Sequence, residues 1–239
     1  VIGLLLWEFA VVMFQPSRLV IVAPSEIGRR LVVMVTDGTL WPDLSISLAA
    51  FAIGYTVAAA VAIPLGLIIG SSTHWQIWSR PWISGLYATP LIGLAPLFVV
   101  IFGYGLAAKV AVAICLAVFP ILINTIAGAR AVGKDFTELA TVFGADRTEM
   151  LRRILLPGSM PFIMTGLRLA VGPGLIGVVV ADLFGATAGL GLSLQRSANE
   201  FDTAGIYAVT LLLAVLGIAL TGIIEIFERR AYERSGASE

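Results

Sequence analysis

From Leu44 to Gly70 the chain carries no charged side chain. About 20 mostly apolar residues suffice for a helix to cross ~30 Å of hydrocarbon, so this run alone points to a membrane. Six such stretches can be read: Val1–Phe14, Leu44–Gly70, Trp82–Gly103, Leu106–Ile126, Met160–Phe184 and Gly205–Phe227. The first is short for a crossing and carries Glu8; because the sequence opens on Val1 rather than Met, this span is expected to continue upstream. The rest of the composition agrees. Hydrophobic residues make up 59% and charged residues 13%, against about half and a quarter in soluble domains. That excludes an ordinary soluble enzyme and a disordered chain, and a formal net charge of zero excludes a nucleic-acid binder. The single cysteine, Cys115, lies inside an apolar run, so no disulfide framework exists. No run alternates polar and apolar residues as barrel strands do. The fold class is therefore all-α integral membrane, a single multi-pass domain over residues 1–239 with its main polar loop at about 127–158.

Basic residues orient the chain. With the N-terminus, the 71–81 loop, the 127–158 loop and the C-terminal tail in the cytoplasm, Arg80, Arg130, Lys134, Arg147, Arg152, Arg153, Arg229, Arg230 and Arg234 lie inside. Arg18, Arg29, Arg30, Lys109 and Arg196 fall outside, so the positive-inside rule favours this topology. Trp41, Trp75, Trp78 and Trp82 cluster near span ends, where indoles settle at the interface.

Small residues recur at every fourth position of the second span (Ala50, Gly54, Ala58, Ala62, Gly66, Gly70), with a shorter run at Gly166, Ala170 and Gly174 in the fifth. Such seams let helix backbones approach closely, either for fixed packing or for sliding during a cycle. Pro64, Pro90, Pro96, Pro120 and Pro173 interrupt four spans. Each frees a backbone carbonyl that hydrocarbon cannot satisfy, which suits helices surrounding a pathway. Polar or aromatic groups that could line it are Tyr87, Thr89, Phe98, Tyr104, Asn124 and Asp182. Asp182 suits a structural or a gating role equally, and Arg168 reads as the partner of a carboxylate or helix carbonyl. His74 is the only histidine, and no acidic or histidine cluster suggests a metal, a catalytic residue or a proton relay.

The 135–157 segment, DFTELATVFGADRTEMLRRILLP, is the most informative part of the chain. Asp135 with Glu138 and Asp146 with Glu149 have capping-box spacing, and Gly144 between them suits a left-handed helix stop. The spacing predicts a short helix over Phe136–Phe143, a turn at Gly144 and a second helix to Leu156, with Pro157 and Pro161 ending it and starting the next span. Phe136, Leu139, Ala140 and Phe143 give the first helix an apolar side. Two helical turns are marginal alone, so that side packs on its own protein or in a partner's groove.

Glu138-Leu139-Ala140, then Gly144, then Ile154-Leu155-Leu156-Pro157 resembles the EAA signature of ABC importer permeases, departing only at Leu139. Gly177-Val-Val-Val-Ala-Asp182-Leu-Phe-Gly185, Gly189-Leu-Gly191, Ala23-Pro24-Ser25 and Ile224-Glu-Ile-Phe-Glu-Arg-Arg230 are similar to the nitrate/sulfonate/taurine branch. The resemblance implies a six-helix type I importer transmembrane domain in the bacterial cytoplasmic membrane. It implies a second permease as partner, a second copy in a homodimer or else a close relative, with two cytoplasmic ABC ATPase subunits and an extracytoplasmic solute-binding protein. ATP and magnesium would sit on the ATPase, with no cofactor in this chain. Phe136, Glu138, Leu139, Ala140, Phe143, Gly144 and Ala145 would form the ATPase-coupling segment. The cargo implied is a small anion such as a sulfonate or nitrate; the alternative is a small heteroaromatic vitamin or precursor.

Gly128-Ala-Arg-Ala-Val-Gly133-Lys134 approaches a P-loop, but Asp135 replaces the required hydroxyl residue and a membrane helix precedes it, so the chain binds no nucleotide there. An ion-coupled secondary transporter is the remaining alternative, and a membrane-embedded enzyme lacks clustered reactive groups.

Overall fold

The computed structural model describes residues 2–17, 19–132 and 142–234. Within them the fold is helical, in the order α1 (Ile2–Phe14), α2 (Pro24–Thr36), α3 (Leu40–Gly70), α4 (Thr73–Ala88), a 3-10 turn (Leu91–Leu94), α5 (Ala95–Phe102), α6 (Leu106–Ala131), α7 (Arg147–Glu149), a π turn (Met150–Leu155), α8 (Leu156–Leu183), α9 (Leu190–Asn199) and α10 (Thr203–Arg234).

The centre is a close-packed trio of α3, α6 and α8. All six small residues of the α3 seam are buried. A Cβ at Gly54 would stand 2.7 Å from the Ala113 methyl, at Gly66 2.6 Å from Thr125 Cβ, and at Gly70 2.5 Å from the Ala129 methyl. The seam is thus a packing surface within the chain. The facing residues rise in number together along both helices, so α3 and α6 run parallel. On α6 and α8 they run in opposite senses: Gly128 faces Ser159 and Phe162, Gly166 faces Asn124, and Gly177 faces Ala113. Those helices are antiparallel. Two parallel neighbours require the chain to cross back between Gly70 and Leu106, and the α4–α5 pair makes that return.

The six expected spans take a more varied form. Among the described residues four helices are long and apolar enough to cross: α3, α6, the unbroken Met150–Leu183 and α10. The expected single span Trp82–Gly103 is instead a helix pair bent by 73°. Its cause is Pro90, which pushes the preceding residue out of the α region. Thr89 accordingly has ψ 137, and its hydroxyl donates to the Gly85 carbonyl at 3.0 Å. The first half of the pair begins at Thr73, so most of the expected 71–81 loop is helical. Pro157 and Pro161 do not end a helix: Pro157 sits in the first turn of α8, and the helix continues from the π turn through both. The α1 helix is 13 residues long, ~20 Å at 1.5 Å per residue.

Two further helices lie between the expected spans. The α2 helix lies between the first two expected spans, and Glu8 of α1 accepts hydrogen bonds from the Ser25 amide (3.0 Å) and hydroxyl (2.7 Å) at its start. Arg30 then pairs with Asp202 at 2.6 Å, fastening α2 beside α10. The second is α9, which follows α8 through a turn containing Gly185 and Gly189. Arg168 pairs with Glu228, and with Glu225 at 3.8 Å, and so ties α8 to α10, the carboxylate partnership expected of it.

Replacing Gly66 with Leu should force α3 from α6 and lower stability by about 1–3 kcal/mol. Gly85→Leu, at a position with open space around it, should leave the thermal unfolding midpoint of the detergent-solubilised protein near wild type.

Candidate functional site

Three places hold the chemistry-bearing residues. The first is the turn before α7. Of the expected coupling segment, Phe136, Glu138, Leu139 and Ala140 lie outside the described residues, as does the Asp135–Glu138 capping pair. The rest is described. Gly144 has φ +81, the left-handed stop its position called for. Val142 and Phe143, just before it, are 84% and 83% exposed. After it the second capping box forms reciprocally: the Glu149 amide donates to Asp146 Oδ1 at 2.6 Å, and the Asp146 amide to Glu149 Oε2 at 3.4 Å. This cap launches α7, whose π turn leads without interruption into α8. An exposed apolar turn is thereby joined to a central helix of the bundle.

The second place, at the opposite end of the trio, is a buried polar network that the sequence did not disclose. Lys109 and Asp182 are 3% and 0% exposed and pair at 2.6 Å. Lys109, one of the basic residues expected on the external side, sits in the first turn of α6, where Nζ also donates to the Ala188 carbonyl. Three amides at the start of α9 have no intrahelical acceptor, and each finds one from another helix. Gly189 N–H donates to Asp43 Oδ1 (2.7 Å), Leu190 N–H to Ser47 Oγ (2.9 Å) and Gly191 N–H to Asp182 Oδ2 (3.1 Å). Ser193 donates to Asp43 Oδ2 at 2.5 Å, and Arg196 lies 3.5 Å from the same oxygen. Two carboxylates, a lysine, an arginine and a positive helix end balance one another. Gly189 is required here, since its φ is +142 and a Cβ would collide with the Asp182 carboxylate. The sequence signal was present but faint: Asp43 and Ser47 are one turn apart, and the Gly189-Leu-Gly191 step follows Asp182 closely.

The third place is a groove of about 580 Å³ between α4 and α6, opening at the same end as the α7 turn. Tyr87 lines it, its ring 5.9 Å from that of Phe119. Arg80, Arg130, Gln76 and Ser84 share the wall. The other expected pathway residues do not converge on it. Thr89 caps α4, and Phe98 stacks on Phe102 at 6.3 Å. Tyr104 is exposed beside Gly185 at the far end. The Asn124 amide donates to the Pro120 carbonyl at 2.8 Å, close to where α8 packs, and Asp182 belongs to the buried network. Among the described residues no group of three or more histidine, cysteine or acidic side chains could hold a metal.

Comparison with known proteins agrees with this architecture. Residues 62–232 match the family described as the binding-protein-dependent transport system inner membrane component. Among relatives, the formylaminopyrimidine transport permease protein ThiX of Halalkalibacterium halodurans is 32% identical over 90% of this chain and 85% of its own length. The taurine transport system permease protein TauC of Escherichia coli is 32% identical over 81% and 70%. The putative aliphatic sulfonates transport permease protein SsuC of Bacillus subtilis is 28% identical over 90% and 78%. The chain belongs to this family of inner-membrane importer components. It is a multi-pass permease subunit of an ABC importer, a transport component and not an enzyme. That resolves the choice between importer subunit and ion-coupled transporter.

Removing one partner of a buried ion pair strands the other, at about 3–5 kcal/mol. Lys109→Met should therefore lower the thermal midpoint sharply. Adding Asp182→Asn to Lys109→Met should recover part of the loss, because the asparagine carbonyl can still accept from Gly191. Equal melting of the single and double variants would show that no coupling exists.

Proposed function

We propose that this permease passes a small anion, of the sulfonate or nitrate kind, from an external solute-binding protein to the cell interior, driven by a separate ATPase that grips residues 136–144. The observation that carries the coupling is the exposed Val142–Phe143 pair beside the Gly144 stop. Two large apolar side chains held in the open on a capped turn suit a groove on another polypeptide. Phe136, Glu138, Leu139, Ala140 and Ala145 complete the docking segment in this reading. The unbroken helix from Met150 to Leu183 gives a route for movement of the docked segment to reach the bundle.

In this scheme the α7 turn faces the cytoplasm, and the Asp43–Lys109–Asp182 network lies at the external end, where the binding protein delivers its load. Two permease copies, two ATPases bearing ATP and magnesium, and one binding protein form the working assembly. Tyr87, Thr89, Phe98, Tyr104 and Asn124 are the proposed pathway positions, Tyr87 with the most support because it borders a groove. Asp182 serves the pathway indirectly, by holding its external end together.

The anion reading is supported by the taurine and aliphatic-sulfonate permeases among the relatives. A second reading, a small nitrogen heterocycle, is supported by the formylaminopyrimidine permease. Proteoliposomes containing permease, ATPase and binding protein discriminate them. Uptake of labelled taurine or nitrate on addition of ATP supports the first, and uptake of a pyrimidine alone supports the second.

Glu138→Lys and Gly144→Asp should each abolish co-purification with the ATPase and reduce ATP-driven uptake to background, with the permease still inserted. Uptake by the permease without any ATPase would overturn the coupling scheme.

A further inference from the structure

The α4–α6 groove holds an unbalanced charge. Arg80 on α4 and Arg130 in the last turn of α6 both line it. Among the described residues neither guanidinium has a hydrogen-bond or ion-pair partner, and no carboxylate lines the groove. By contrast, Arg168 pairs with glutamates of α10, Arg153 with Glu149 and Arg196 with Asp43. Deeper along the same wall stand the hydroxyls of Ser84 and Tyr87, both exposed. On α4, Gln76, Arg80, Ser84 and Tyr87 fall at helical spacing and form one polar stripe along the groove. Exposed hydroxyls in a spanning segment suit a wetted passage, not acyl chains.

We infer that this groove is an anion-binding vestibule of the permease itself, in which Arg80 and Arg130 receive the oxyanion group of the transported solute at the end where the α7 turn projects. The inference rests on the anion reading given above and adds a site within this chain to the selectivity of the binding protein. The chemistry is direct. A guanidinium presents a planar fork of donors to sulfonate, nitrate or phosphate oxygens. Two such groups at the mouth of a low-dielectric cleft raise the local anion concentration. A volume of about 580 Å³ falls within the span of small-molecule sites. The exposure of both arginines to water keeps the hold weak enough for release.

Phospholipid phosphate is the other source of an oxyanion at this depth, and the experiment separates the two. The assembled permease, ATPase and binding protein are placed in vesicles of phosphatidylcholine alone or with phosphatidylglycerol. ATP-driven taurine uptake is compared for wild type, Arg80→Gln/Arg130→Gln and Arg80→Lys/Arg130→Lys. Uptake by the glutamine variant should fall about tenfold, the scale of a lost charge-assisted hydrogen bond, in both lipids. The lysine variant should recover most of it, and ATP hydrolysis without solute should stay near wild type, showing that the assembly is intact. Unchanged uptake in the glutamine variant would overturn the inference while leaving the anion reading in place. A defect that appears only with phosphatidylglycerol present would assign the arginines to lipid and overturn it too. Transport of a neutral pyrimidine but not taurine by wild type would overturn both.

Discussion

Everything in this bundle depends on how closely three backbones approach. Between apolar helices in an apolar solvent there is little hydrophobic drive, so cohesion comes from dispersion contacts and the few polar bonds available. The glycines and alanines of α3 serve that purpose, and their partners on α6 are themselves small: Ala113, Ala117, Thr125 and Ala129. The α8 helix repeats the arrangement with Gly166, Gly174 and Gly177. One central helix, α6, thus receives seams from both sides. The parallel sense of α3 and α6 and the antiparallel sense of α8 follow from those contacts, and they compel the bent return through α4 and α5.

Close packing leaves room for polar groups only where they answer one another. At one end of the trio, Asp43, Lys109 and Asp182 meet the free amides of α9, so four helices are joined through backbone donors as well as side chains. Buried charge of this kind contributes less to net stability than to choosing one arrangement over its neighbours. At the other end the helices part, with α4 leaning from α6 around a groove and the α7 turn standing free. The molecule is tied at one end and open at the other, an asymmetry fit for a part that must be moved from one side.

Much of this was legible in the chain, for physical reasons. The apolar runs, the seams, the left-handed Gly144, the Asp146–Glu149 cap and the carboxylate partner of Arg168 all express local rules that a sequence states openly. Other features depend on what meets across space. Lys109 reads as one more external basic residue until Asp182, far along the chain, is found beside it. The α2 and α9 helices are short and begin at Pro24 and Leu190 amid polar residues, so their apolar sides matter only once Leu190, Ile27 and Val209 share a cluster. Pro90 was seen as an interruption, but the size of the bend needed the neighbouring extended Thr89. The prolines at 157 and 161 misled in the other direction: Pro157 falls in the first turn of α8, where a proline is tolerated, and Pro161 is carried inside the same helix.

The π turn over Met150–Leu155 has a geometric corollary. A widened turn is a helix carrying one residue more than its regular ladder can seat. Excising a single residue there would regularise the ladder and rotate everything before it by about 100° about the axis. Phe143 and its neighbours would then aim at a different compass bearing. The bearing of that projection is therefore written as an insertion, and a lineage could retune it by length as readily as by substitution.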